Sequence, residues 1–346
     1  MLLVVFGAGA SYDSAPSYPV SADPIDLRAR ESRPPLADQL FENRDWFAEA
    51  LRKFPRCQPL IQHLRHLDRG KNVEQVLAAY LKEGHRRPER HCQIMAVRYY
   101  IAYIIKACEE AWEGVHKGVT NYKALLDHIE TWRCQNRESV CLVTFNYDQM
   151  LELALADVGL RFEELGDYIA SQDYKLLKLH GSVNWGRYTA VRQERLPGTD
   201  PWVVANELTN RAASLELTEV WTLVNQQPPT MPPLPDRLTV MPAIAIPIEN
   251  KNAFECPVEH VEVLKECLPR VTKMVTIGWR ATENHFLRLL SEGLPKISSL
   301  MVVSVRQQEA LEIGRKISPG RSDFDAAPGG FTDSILSREI ERFLWR

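Results

Sequence analysis

Asn146 and Asp148 stand two residues apart, directly after the apolar run Val140-Cys141-Leu142-Val143-Thr144-Phe145. His180 follows the next apolar run, Tyr174-Lys175-Leu176-Leu177-Lys178-Leu179, and leads into Gly181-Ser182. The opening run Leu2-Leu3-Val4-Val5-Phe6 ends on Gly7-Ala8-Gly9-Ala10-Ser11, and a later one ends on Gly278-Trp279-Arg280. A carboxamide, a carboxylate and an imidazole that titrates near neutrality are groups that orient a polar substrate and move its protons. In open α/β sheets the ligand lies beyond the carboxyl ends of the strands, so residues placed just after a strand are the ones to examine. Each has an ordinary reading as well: Asn146 or Asp148 as a helix N-cap, His180 as a core histidine with its partners. Four such endings on one edge of one sheet point instead to a site.

The glycine turn suits an anion. Gly7 and Gly9 lack the β-carbons that would hold a pyrophosphate off the backbone, Ser11 offers a hydroxyl, and a following helix would aim its first amides at the charge. The turn has no third glycine in the dehydrogenase register, and no acidic residue clearly ends a second strand, which argues against hydride transfer. Other schemes find less support. No G-x-x-x-x-G-K-[ST] loop exists, and Ser182 does not sit in a G-x-S-x-G elbow. His63 and His66 stand three apart with no third ligand near them, so no metal site is expected there. Trp185 and Trp279 are open to two readings, stacking on a base or buried packing.

With 346 residues, 45% of them hydrophobic, the chain can bury a large core in one domain or two fused ones. A formal net charge of −3 argues against autonomous nucleic-acid binding, and the short basic stretch His85-Arg86-Arg87-Pro88-Glu89-Arg90 reads as a solvated loop. No segment reaches the length of a membrane span, and the apolar start lacks the basic leader of a signal peptide. The seven cysteines form no C-x-x-C pair, which implies buried thiols in a reducing cytoplasm.

Residues 14–35 are polar and proline-rich and read as a loop. A helical region follows to about Arg133, with apolar stripes at Val73, Val76, Leu77, Tyr80 and Leu81, then at Ile94, Val97, Ile101, Ile104, Ile105 and Cys108. Tyr122, Leu125, Leu126, Ile129 and Trp132 make a third stripe. Strand–helix alternation then resumes, with a helix over 148–157 and an extended proline-rich loop over 226–235. Later strands are expected at 238–246, 273–277 and 300–305, and helices at 258–267, 283–290, 308–317 and 333–344. The pattern predicts an α/β protein with a doubly wound, mostly parallel, Rossmann-like sheet and an all-α insertion after the first strand.

Taken in order, Gly7-Ala8-Gly9-Ala10-Ser11, Thr144-Phe145-Asn146-Tyr147-Asp148 and Lys178-Leu179-His180-Gly181-Ser182 resemble the sirtuin-like NADase family, the bacterial silent-information-regulator-like proteins of anti-phage systems. Ile277-Gly278-Trp279-Arg280 resembles that family's late strand and turn, and Pro35-Leu36 with Leu40-Phe41 its segment after the first loop. The resemblance implies a catalytic NAD-binding domain from 1–35 and 134–346, with 36–133 as the helical insertion. It implies that Asn146 holds water or the ribose at the anomeric carbon, Asp148 bonds the nicotinamide carboxamide, and His180 is the general base. Gly7, Ala8, Gly9, Ala10 and Ser11 would hold the pyrophosphate, with Thr144, Gly181, Ser182 and Gly278 completing the NAD site. Deacylating sirtuins carry a Gly-Ile-Pro-Asp-Phe-Arg stretch and a zinc module of two cysteine pairs, and this chain has neither. The expectation is therefore NAD as substrate, no zinc, and hydrolysis to nicotinamide and ADP-ribose. A protein deacylase, a non-catalytic NAD or ADP-ribose scaffold and an ordinary oxidoreductase are the alternatives. The resemblance further implies an NAD-depleting effector of abortive infection. It would be held off by homo-oligomerisation or by a separately encoded partner, such as a HerA-type ATPase or an Argonaute-related protein.

Overall fold

A computed structural model of the chain describes residues 1–20, 27–67, 73–84, 86–192, 200–230, 238–248, 254–294, 299–319 and 323–346. The expected loop segments at 21–26 and 231–235 lie outside the described residues. Two compact units emerge: Met1–Pro34, Glu109–Leu179 and Val258–Arg346 form the first, Pro35–Cys108 and His180–Pro257 the second. Nine strands are described: β1 (Leu2–Phe6), β2 (Val140–Thr144), β3 (Tyr174–Lys178), β4 (Gly181–Arg192), β5 (Leu217–Leu223), β6 (Leu238–Ile244), β7 (Lys273–Ile277), β8 (Ser299–Val303) and β9 (Asp325–Ala327).

In the first unit six strands form a parallel sheet in the order β3-β2-β1-β7-β8-β9. The chain leaves central β1 in one direction, reaches β3, and resumes on the other side at β7. This is the Rossmann order, and it bears out the expected doubly wound α/β class. Every residue of β1 and β2 is buried, as strands covered on both faces must be, which is why they read as unbroken apolar runs. The helices fall into two groups by mutual contact. One holds Ala8–Tyr12, Asn121–Asn136, Met150–Leu155, Gly330–Leu336 and Glu339–Trp345; the other includes Asn284–Gly293 and Gln307–Ile317.

Register does the positioning. Lys178 pairs with Thr144, Thr144 with Phe6, and Phe6 with Ile277, so four strands end in one row. The ladder runs one step further: Gly7 N–H donates to Ile277 O and Phe145 N–H to Phe6 O, both at 3.0 Å. The turns that follow β1, β2 and β7 are thereby set side by side.

In the second unit β4 lies between β5 and β6 in an antiparallel sheet. The helices Asp45–Lys53, Gln58–Arg65 and Val73–Gly84 belong to it, together with the part of Pro88–His116 up to Cys108. The strand expected over 238–246 is β6, and it joins this sheet rather than the parallel one. The units also divide differently from the expected 1–35 with 134–346 against 36–133. Residues 109–133 join the parallel sheet because the stripe Tyr122, Leu125, Leu126, Ile129 and Trp132 is buried there. Residues 180–257 group with the earlier helices: Arg98 pairs with Glu255 at 3.2 Å, Arg56 donates to Asn210 Oδ1 at 2.7 Å, and the Phe54 and Tyr103 rings meet Trp202. Two smaller differences concern helices. Leu27–Ser32 is helical inside the expected loop, and 333–344 is two helices, broken where Arg338 turns left-handed at φ 57°.

Candidate functional site

Beyond the row where β1, β2 and β3 end, the first unit gathers a buried polar cluster of Ser11, Tyr122, Asn146 and Asp148. Asn146 is 6% exposed, and its Nδ2 lies 2.9 Å from Gly7 O, 2.9 Å from Ser11 Oγ and 3.2 Å from the Tyr122 hydroxyl. A backbone carbonyl only accepts, so the nitrogen must face Gly7 and Oδ1 must face away. That Oδ1 is buried and has no hydrogen-bond partner among the described residues. An orphaned buried acceptor of this kind costs about 1–3 kcal/mol, so it marks where a donor from a ligand or water would sit. Thr144 fixes the backbone here, its Oγ1 accepting Asn146 N–H at 3.0 Å.

Asp148 has two jobs. Its Oδ1 accepts Met150 N–H at 3.2 Å at the start of helix Met150–Leu155, and its Oδ2 accepts the Ser11 hydroxyl at 2.7 Å. Gln149 is the N-cap of that helix, so one Asp148 oxygen closes the turn that leads into it and the other reaches the site. Burial pushes the Asp148 carboxyl up to about 6, offset by the Lys178 ammonium and the Ser11 hydroxyl and reinforced by the nearby Glu109 and Glu152 carboxylates. Lys178, fully buried at the end of β3, donates to the Asp148 carbonyl and to Glu152 Oε1, the latter at 2.7 Å. Glu109 Oε2 accepts Gln149 N–H at 2.8 Å. The loop 145–149 is thus held by charged groups on both flanks.

The glycine turn is filled by protein. A β-carbon on Gly7 would lie 2.5 Å from Gly278 O, and one on Gly9 would lie 2.8 Å from Gly278 Cα. Gly278 itself turns at φ 59°, where a β-carbon would strike Ala10 N. These glycines let the turns after β1 and β7 touch. Gly7, Gly9 and Ala10 amides donate to the carbonyls of Ile277, Gly278 and Gly7. Ala8 opens the short helix Ala8–Tyr12, and the Ser11 hydroxyl, expected to meet a phosphate, is committed to Asp148.

His180, Gly181 and Ser182 lie in the second unit, at the start of β4. All three are buried, His180 O accepts Ala245 N–H at 2.9 Å, and Gly181 turns at φ 78°, where a β-carbon would strike Ala243 O. Trp185 is fully buried, and Trp279 stacks on Phe145 at 5.7 Å while donating its indole N–H to Glu283. Both therefore pack. Among the described residues no three His, Cys, Asp or Glu side chains are grouped to hold a metal, and no helix is long and apolar enough to cross a membrane.

Sequence reasoning missed Tyr122, Lys178, Glu152 and Glu109 as neighbours of the site. Tyr122 was hidden in an apolar stripe at helical spacing. Lys178 carried a usable signal, a charge inside a strand otherwise fit for burial on both faces.

Fold and cluster together define an α/β protein of the doubly wound, Rossmann-ordered class, with a buried polar site at the carboxyl edge of its central strands. No family model and no curated protein matches the chain. Solved structures similar to it include a Sir2 homologue in complex with NAD, at 12% identity and a TM-score of 0.39, covering 99% of this chain and 89% of that one. A variant Sir2 homologue with ADP-ribose is also similar, at 12% identity, a TM-score of 0.39 and coverage of 99% and 91%. The TM-scores are low, and the fold assignment rests on this chain's own strand order.

Proposed function

We propose that this protein hydrolyses the nicotinamide–ribose bond of NAD, releasing nicotinamide and ADP-ribose. The observation that carries the reading is the orphaned Asn146 Oδ1, buried in a cluster with an ionisable carboxylate at the edge where Rossmann-ordered sheets bind nucleotides. The motifs around Asn146, Asp148 and His180 resemble those of sirtuin-like NADases and supply the substrate.

The reaction breaks the C–N bond at the anomeric carbon, and the electron pair leaves with neutral nicotinamide. Water adds to the oxocarbenium-like carbon and gives up a proton. Asn146 Oδ1 accepts from that water or from a ribose hydroxyl and so aims it. Asp148, ionised above about pH 6, accepts the carboxamide N–H of the leaving group. His180 is the proposed base for the released proton. Gly7 to Ser11, Thr144, Gly181, Ser182 and Gly278 make up the rest of the proposed NAD site.

The test is incubation with NAD followed by chromatography. Wild type should yield nicotinamide and ADP-ribose in equal amounts, and Asn146→Ala and His180→Ala should each lose about 10²–10⁴-fold in rate. Wild-type turnover in both variants would sink the assignment. Release of O-acyl-ADP-ribose from an acylated peptide would make the protein a deacylase instead. The same resemblance supports a cytoplasmic anti-phage effector that depletes NAD and is kept off by self-association or a partner. A monomer running at full rate alone would remove that regulatory part.

A further inference from the structure

Helix Asn121–Asn136 begins in a clamp. Asn121 N–H donates to Ser14 O at 2.7 Å, and its Nδ2 donates to Asp13 O at 2.6 Å and to Thr332 Oγ1 at 2.7 Å. Thr120 caps the helix by accepting Lys123 N–H. The next residue, Tyr122, has its ring between Phe6 and Phe331, each 5.5 Å away centroid to centroid. Backbone and ring are both fixed, so the hydroxyl is delivered to one place: 2.9 Å from Ser11 Oγ and 3.2 Å from Asn146 Nδ2.

The protons around that point can be counted. With Asp148 ionised, Ser11 gives its only proton to Asp148 Oδ2. Ser11 Oγ then accepts, and the Tyr122 hydroxyl and Asn146 Nδ2 are the donors within reach. Asn146 Nδ2 has two hydrogens for Gly7 O, Ser11 Oγ and the Tyr122 oxygen, so one goes to Gly7 and the other is shared. The chain Tyr122 to Ser11 to Asp148 runs in one direction and, together with the Gly7 carbonyl, leaves the carboxamide a single orientation.

We infer that Tyr122 is a positioning residue for this site: its hydroxyl closes a hydrogen-bond chain with Ser11 that fixes the Asn146 carboxamide, so that Oδ1 is presented to the substrate. The kinetic consequence rests on the proposed NAD chemistry; the chain itself does not. Burial holds the Tyr122 phenol well above its ordinary range, so it stays a donor at any working pH. The groups facing Asp148 are Ser11, Tyr122, Lys178, Glu109 and Glu152. Of these, Tyr122 reaches it only through Ser11.

The test compares wild type with Tyr122→Phe and with a ring-fluorinated tyrosine at 122, which keeps the shape and strengthens the O–H donor. Two readouts are taken: steady-state nicotinamide release, and the titration midpoint of the Asp148 carboxyl by NMR on isotope-labelled ligand-free protein. In Tyr122→Phe, kcat should fall about 10–100-fold with KM for NAD within about 3-fold, the mark of a misaimed group rather than lost binding. The Asp148 midpoint should rise by about half a unit or more as the Ser11 donor weakens, and the fluorinated residue should lower it. Wild-type kcat and midpoint in both variants, or a loss carried by KM alone, would overturn the inference. A wild type that releases no nicotinamide defeats the NAD reading, and the midpoints then decide the role of Tyr122. If Tyr122→Phe fails to fold, the fluorinated protein decides.

Discussion

The buried Lys178 ammonium pairs with the Glu152 carboxylate and donates to the Asp148 backbone carbonyl, so the Asp148 carboxylate feels it only through space, and a third carboxylate, Glu109, stands close by. One positive charge cannot satisfy them all, so the protein holds Asp148 in a state it would shed if it could. The sign follows from the direction of the shift. The folded carboxyl titrates at about 6, above the ordinary 3.8, so its neutral form favours the fold, and that stability is lost as pH rises through 6. Asp148→Asn should therefore stabilise the protein by about 3 kcal/mol at pH near 8 and by well under 1 kcal/mol at pH near 4. The same variant should lose the proposed NAD turnover. Denaturant midpoints at the two pH values check this, and equal gains at both would show that Asp148 is not held charged against its environment. Strain kept at a site for function has this signature, a variant that is firmer and inert.

At the scale of elements, β3 is the support of the site. Lys178 ends that strand and ties its edge to the loop 145–149 and to helix Met150–Leu155. Lys178→Met keeps the volume but removes the cation beside Glu152, whose Oε1 keeps the Tyr168 hydroxyl at 3.3 Å and whose Oε2 has no hydrogen-bond partner among the described residues. It should cost about 3–5 kcal/mol, and Lys178→Met with Glu152→Gln should recover much of that. Thermal melts of the single and double variants check the pair; additive losses would mean that the two do not act on each other. The parallel strands other than β9 were legible because a parallel strand buried on both faces is a largely apolar run, whereas Asp325-Ala326-Ala327 is three residues at the sheet edge with two of them half-buried. The glycines were legible as a turn but not in their purpose, since only the fold shows that the space beside Gly7 and Gly9 belongs to Gly278. β4 and β5 were not legible: β4 mixes buried and half-buried positions without alternation and includes Gly186 and Arg187. Tyr122 obeyed the helical stripe, and periodicity reports that a side chain is buried, not what its hydroxyl reaches.

For the whole molecule, binding and turnover are separable because ADP-ribose, the product of the proposed reaction, should occupy the proposed site without reacting. A ligand at about 100 times its Kd adds about 2.7 kcal/mol to the stability of the state that binds it, enough to move a melting transition by a few degrees. The net charge of −3 gives no long-range attraction for an anionic ligand, so affinity must come from buried local groups that salt screens poorly. ADP-ribose should therefore raise the melting temperature almost equally from about 50 mM to about 500 mM salt, and Asn146→Ala should shrink the rise. Differential scanning calorimetry gives both quantities. A shift that collapses with salt would place the ligand on exposed arginines such as Arg342 in the last helix and Arg338 and Arg346 at its ends rather than at Asn146. A shift that is preserved, with no nicotinamide released from NAD, would favour the nucleotide-binding scaffold over the hydrolase.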